Sequence, residues 1–149
     1  MGHLVDADGI RPLPEKIAVI REFPKPKVFQ ELKRFIAMIN FYRKFLPHAI
    51  SYQMILQQLI TGNKKNDRTP ITWSPTTEAA FDRCKNELAN ASLLAHPAAD
   101  AEIAVYVDAS DTAVGAALHQ KVGTELQPLA FYSKKFTDAQ RKYSAYDRE

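Results

Sequence analysis

The chain has 149 residues, 46% of them hydrophobic and 25% charged, with a formal net charge of +3. That is room for one domain or two small ones, in proportions ordinary for a globular protein. No apolar run approaches the roughly 18 residues of a membrane span, no basic-then-apolar leader opens the chain, and the single cysteine, Cys84, excludes an intrachain disulfide and a cysteine-built zinc site.

One cysteine fits a reducing compartment, cytoplasmic or nuclear. His3, His48, His96 and His119 show no ligand spacing. Charge is uneven along the chain. Residues 1–74 hold 12 Lys/Arg against 6 Asp/Glu, or +6, and residues 75–149 hold 8 against 11, or −3. A basic first half and an acidic second half imply a polyanion-facing piece joined to a piece with other work. A solvated basic face would give the same arithmetic.

The chain opens on a hairpin: His3-Leu-Val5, a turn over residues 6–9, then Ile10-Arg-Pro12. Residues 14–23 read as a short helix with Pro14 in its first turn, stopped by Pro24-Lys-Pro26. Across residues 27–45 the stripe Val28, Leu32, Phe35, Ile39, Tyr42 and Leu46 predicts a longer helix. Lys33, Arg34, Arg43 and Lys44 lie among Phe41, Tyr42 and Phe45. Such a mixture can track a sugar-phosphate backbone, or it can be a core stripe with a solvated back. Residues 49–60 read as a third helix, residues 61–70 as an exposed, mobile polar loop. Ser74-Pro75 opens a fourth helix with Ala80, Phe81, Cys84 and Leu88 on its face.

Three strands follow, over residues 102–108, 112–120 and 126–133, with Pro128 marking an edge or a bulge. Gly115 inside the second strand predicts a bulge or a close backbone approach. Thr137-Asp-Ala-Gln140 has the capping-box pattern, so a helix starts there and runs to residue 149. Helices, then an antiparallel sheet, then the start of a helix make an α+β fold. Asp108 ends an apolar strand at what should be the rim of a buried sheet. A carboxylate there suits a metal or a proton; it is equally a common first residue of a turn.

Several motifs, collinear over nearly the whole chain, resemble the Pol polyprotein of gypsy-like long-terminal-repeat retrotransposons. Gly2-His-Leu-Val5, Asp8-Gly-Ile-Arg-Pro12 and Pro14-Glu-Lys-Ile17 resemble the end of the reverse-transcriptase palm. Leu32-Lys-Arg-Phe35 and Met38-Ile-Asn-Phe-Tyr-Arg-Lys-Phe45 resemble the thumb, and Trp73-Ser, Ala80-Phe and Leu93-Leu-Ala-His-Pro97 the join that follows. Asp108-Ala-Ser-Asp111, Gly115-Ala, Phe131-Tyr-Ser-Lys-Lys135 and Tyr143-Ser-Ala-Tyr-Asp-Arg-Glu149 resemble the first half of a ribonuclease H domain. Ala37, where that family commonly has glycine, and Tyr52-Gln-Met-Ile55 depart from the pattern.

The resemblance implies residues 1–12 as the end of the palm, 13–97 as a thumb and connection, and 98–149 as a truncated ribonuclease H-like domain. It implies a two-Mg²⁺ nuclease site in the complete domain, to which Asp108 and Glu149 match two of four carboxylates. No Tyr-x-Asp-Asp occurs here. Three readings follow. The chain is an enzyme fragment that alone catalyses neither polymerisation nor cleavage. It is a binding module gripping an RNA–DNA hybrid or duplex through Lys25, Lys27, Lys33, Arg34, Arg43 and Lys44. Or it is a domesticated remnant acting as a protein-interaction surface. No membrane role is expected. The first strand should be an exposed apolar edge that invites self-association, making the sheet half less stable than the helical half.

Overall fold

In the computed structural model, which describes residues 2–91 and 93–144, a helical layer and a three-stranded antiparallel sheet pack against each other. The hairpin forms as expected: β1 (His3–Val5) pairs with β2 (Ile10–Pro12). Its turn is held by Asp6, whose carboxylate accepts from the Asp8 and Gly9 amides at 2.9 and 3.2 Å and binds Arg11 at 2.8 Å. The Asp8 amide chiefly, with Arg11 adding to it, holds the Asp6 carboxyl below the usual carboxylate range.

Four helices follow. α1 (Pro14–Arg21) and α2 (Phe29–Phe41) both carry apolar faces inward. α2 is shorter than its stripe implies at both ends. Val28 is extended and bridges to Pro70, so the chain enters the helix only at Phe29. At Tyr42 the backbone leaves helical geometry (φ −96°, ψ 11°) and a 3-10 turn covers Arg43–Phe45. Tyr42, Phe45 and Leu46 are nevertheless buried, so the core continues past the end of the helix.

α3 spans Ala49–Ile60, and α4 spans Pro75–Ala89. Ser74 caps α4 in a box with Thr77, satisfying amides at the helix start. The loop between α3 and α4 is not the free segment its composition implied. Lys33 Nζ donates to the Asn63 and Lys64 carbonyls, the Gln30 amide donates to Asp67 O at 2.8 Å, and the Phe29 amide to Thr69 O at 3.2 Å. The loop therefore supplies acceptors to the otherwise unpaired N–H groups opening α2.

One core serves all four helices. Ile20, Leu32, Phe35, Ile39, Leu56, Phe81 and Leu88 are at most 2% exposed. Phe35 and Phe81 meet at 4.6 Å between ring centres, with Phe23 and Trp73 flanking them. Each such side chain withdrawn from water contributes on the order of 1.5–3 kcal/mol. Cys84 lies fully buried among them, and burial pushes its thiol up to about 12.

The sheet order is β3 (Glu102–Ala109), β4 (Ala113–Val122), β5 (Glu125–Lys135). Gly123, at φ 64°, makes the β4–β5 turn. The irregularity expected at Gly115 falls elsewhere: the register shifts between Leu118 and His119, opposite the Pro128 region of β5, whose proline cannot donate to the ladder. A side chain at Gly115 would meet nothing nearer than Asp108 O at 3.9 Å, so that position is not sterically reserved for glycine. Thr137 caps α5 (Asp138–Arg141) in a box with Gln140.

β3 does not lie in a buried sheet. Ile103, Val105 and Tyr106 are each more than half exposed, and the strand's outer edge is unpaired among the described residues. Phe131 of β5, by contrast, packs against the helical core.

The strap formed by residues 94–98 joins hairpin, helices and sheet. Leu94 exchanges backbone hydrogen bonds with Ile10 at 2.7 and 2.8 Å, and the Ala95 amide donates to Pro128 O at 2.7 Å. Gly9 (φ +148°) makes the first crossing possible, since a Cβ there would stand 2.1 Å from Leu94 O. Gln120, 1% exposed, closes the second. Its Oε1 accepts from the Ala98 amide at 2.9 Å, and its Nε2 donates to His96 O at 2.8 Å and Gln127 Oε1 at 2.9 Å.

Candidate functional site

Asp108 stands one residue before the C-terminal end of β3, directly opposite Gly115 of β4, which in turn lies opposite Ser133 of β5. Paired residues of an antiparallel sheet share a face. Asp108, Gly115 and Ser133 thus form one row across the sheet, with Tyr106, Ala117 and Phe131 in the next. The turn after Asp108 is closed by Ser110, whose Oγ accepts from the Ala113 amide at 3.1 Å and whose amide donates to Ala113 O at 2.9 Å. The Asp108 side chain is exposed and makes no hydrogen bond or ion pair among the described residues.

This face looks onto the start of α3. Between them lies a cleft of about 690 Å³, lined from the helical side by Pro47, His48, Ile50, Ser51 and Met54. Asp108 is on its rim. Ser133 is 3% exposed, lines the cleft, and its Oγ has no hydrogen-bond partner among the described residues.

Among the described residues, no three His, Cys, Asp or Glu side chains converge to hold a metal ion. One carboxylate beside hydroxyls falls short of what two hard cations require. Glu149, the second carboxylate implied by the sequence, lies outside the described residues. Asp108 by itself therefore does not build a metal site among the described residues.

The six basic residues divide. Lys25 is exposed, pairs with Glu78 at 2.5 Å, and stands 5.9 Å over the Trp73 ring. Lys27 is exposed; its amide donates to Glu31 Oε2 at 2.7 Å. Lys33 is engaged with loop carbonyls, as described above. Arg43 is half-buried and donates through Nη2 to Gln53 Oε1 at 3.1 Å, while Gln53, 0% exposed, donates to Asn40 Oδ1 at 2.6 Å. Burial lowers the Arg43 pKa, and its Nε has no partner. Arg43 thus sits inside a polar pin between the end of α2 and α3.

Arg34 and Lys44 remain exposed. On α2, Arg34, Ala37 and Phe41 follow one another at helical spacing along a solvent-facing strip. Phe41 is 40% exposed and stacks on His3 of β1 at 5.1 Å. Burial, with Lys44 second, lowers the His3 pKa, so this ring favours its neutral form. Sequence periodicity did not single out His3; only the packing of the hairpin on α2 brings it to the strip. Tyr52, one of the departures from the family pattern, is 3% exposed with an unpaired hydroxyl, and the Arg83 guanidinium lies 5.7 Å over its ring.

Residues 73–149 match the family described as an RNase H-like domain found in reverse transcriptase, so the match takes in α4 as well as the sheet. Over its whole length the chain is 31% identical to the Retrovirus-related Pol polyprotein from transposon opus of Drosophila melanogaster, and 32% identical to that from transposon 412 of the same species. It is 33% identical to the Transposon Tf2-3 polyprotein of Schizosaccharomyces pombe. The chain spans only 16%, 12% and 11% of these relatives' lengths.

Among solved structures, the foamy viral protease-reverse transcriptase in complex with dsDNA superposes with a TM-score of 0.81 at 21% identity, over 99% of this chain and 30% of that one. The same enzyme with an RNA/DNA hybrid gives 0.80 at 20% identity, over 99% and 20%. These two likenesses speak to fold. No helix among the described residues is long and apolar enough to cross a membrane. The chain belongs to the family of RNase H-like domains found in reverse transcriptase, and it corresponds to a segment of a retrotransposon Pol polyprotein.

Proposed function

We propose that this chain is the thumb-to-nuclease segment of a Pol polyprotein that copies RNA into DNA and hydrolyses RNA in hybrids with two Mg²⁺ ions. The observation that carries the reading is the position of Asp108. It is the next-to-last residue of the first strand of an antiparallel three-stranded sheet, accessible at the rim, in a chain whose likeness to Pol polyproteins runs over its full length. In this reading residues 1–12 end the palm, 13–97 form thumb and connection, and 98–149 belong to the nuclease domain. Asp108 and Glu149 each contribute one oxygen ligand set, and two further carboxylates of the longer polyprotein complete the site. Mg²⁺ would supply an activated water and charge stabilisation at the leaving oxygen. This segment by itself positions nucleic acid and does not cut it.

A hybrid-cleavage assay with Mg²⁺ tests this. The 149-residue chain should give no cleavage above background. A longer Pol segment carrying the additional carboxylates should cleave, and Asp108→Asn in that segment should lower the rate by roughly a hundredfold or more. Cleavage by the short chain that Asp108→Asn abolishes would overturn it.

The exposed strip of α2 favours a duplex- or hybrid-binding role for the helical layer. Lys25, Lys27, Arg34 and Lys44 carry it at the surface, while Lys33 and Arg43 shape the surface from within. Affinity should fall steeply with salt. Each of Lys27→Gln, Arg34→Gln and Lys44→Gln should flatten the log–log slope by about 1, whatever the base sequence. Salt-independent binding would contradict the assignment. The free edge of β3 is the surface for self-association. Sedimentation should show concentration-dependent assembly that Val105→Lys suppresses; a monomer at all concentrations would remove that role.

A further inference from the structure

The cleft between α3 and the sheet joins Asp108 to apolar walls and a buried hydroxyl that the nuclease reading does not use. Its volume, about 690 Å³, is that of a small-molecule site. Its walls are largely apolar, with Met54 on one side and Ala117 and Phe131 on the other. Two polar groups converge on it without partners among the described residues. One is the buried Ser133 hydroxyl, the other the Asp108 carboxylate. A buried hydroxyl left unpaired is costly, so a cavity that contains one is poised for a ligand atom or a water.

No Lys or Arg lines the cleft. The basic side chain of the lining is the His48 imidazole, and with no Lys or Arg beside it the Asp108 carboxylate would repel a phosphate or carboxylate. Nucleotides and other anions are thus disfavoured by charge. A cation with an apolar body matches on both counts.

We propose that this cleft binds a small amphipathic amine, with its apolar body against Met54, Ala117 and Phe131 and its ammonium group at Asp108. An ammonium group has three donors. The Asp108 carboxylate accepts from it, while Ser133 Oγ, two strands away on the same row, is placed to pair with a water or a second polar atom of the ligand. The site needs neither metal nor the two carboxylates beyond this segment, although it shares Asp108 with the nuclease reading.

Titration of the full 149-residue chain, followed by amide chemical shifts, tests the proposal with three probes of one shape. These are 2-naphthylmethylamine, the neutral 2-naphthylmethanol and the anionic 2-naphthoate. The amine should bind saturably, with shifts centred on Met54, Ala117, Phe131 and Ser133, and roughly tenfold more tightly than the alcohol. The naphthoate should bind most weakly. Asp108→Asn should erase the preference for amine over alcohol, whereas Glu102→Gln, elsewhere on β3, should keep it. Ala117→Leu should fill the cleft and weaken all three probes roughly tenfold. Ser133→Ala, which removes only the hydroxyl, should weaken the amine even if Ala117→Leu fails to fold. Equal binding of the three probes, a preference that survives Asp108→Asn, or no saturable shift would overturn the assignment.

Discussion

A buried glutamine ties the sheet to the strap that leads back to the hairpin. Gln120 sits at the far end of β4 from Asp108, 1% exposed, and uses both ends of its amide. It takes the Ala98 amide, gives one hydrogen to His96 O and the other to Gln127. Each such bond contributes a net of roughly 0.5–1.5 kcal/mol, but losing the side chain also strands its partners. The strap it grips is already tied to the hairpin through Leu94 and through the His96 ring, whose Nε2 meets Asp6 O at 2.5 Å. Hairpin, strap and sheet are thus joined by polar contacts, while the helices are joined by a dry core.

That division has consequences for function. The strap fixes where the sheet stands relative to α3, and so fixes the cleft beside Asp108. At the other end of the helical layer, the hairpin places His3 on Phe41 and defines the exposed strip of α2. The Asn40–Gln53–Arg43 pin locks the end of that strip to α3. The exposed strip of α2 and the Asp108 carboxylate are therefore presented by one connected body whose joints are hydrogen-bonded.

Much of this was legible in the residues. α3 occupies residues 49–60 as read from its stripe, because Pro47 and the apolar spacing left little choice. The Ser74 and Thr137 caps were readable because capping is local chemistry. The motifs from Gly2 to Glu149, weak singly, were together enough to place the family. What escaped was tertiary. Gln53 and Gln120 are polar residues in the interior, and nothing in a sequence window reveals partners 13 or 22 residues away. Lys33 and Arg43 looked like their exposed neighbours, because a long cation reaches solvent or a nearby carbonyl with equal ease. The end of α2 at Tyr42 was hidden because the core stripe runs on through the 3-10 turn.

The most direct test of this architecture is urea unfolding of Gln120→Leu beside the parent chain, watched from both layers. Trp73, the sole tryptophan, reports the helical layer through its contact with Phe81, and resolved amide signals of β4 report the sheet. The parent should give superimposed transitions, and the variant should give two, with the sheet melting first. Superimposed transitions in the variant would contradict the claim that this side chain's grip on the strap helps couple the layers.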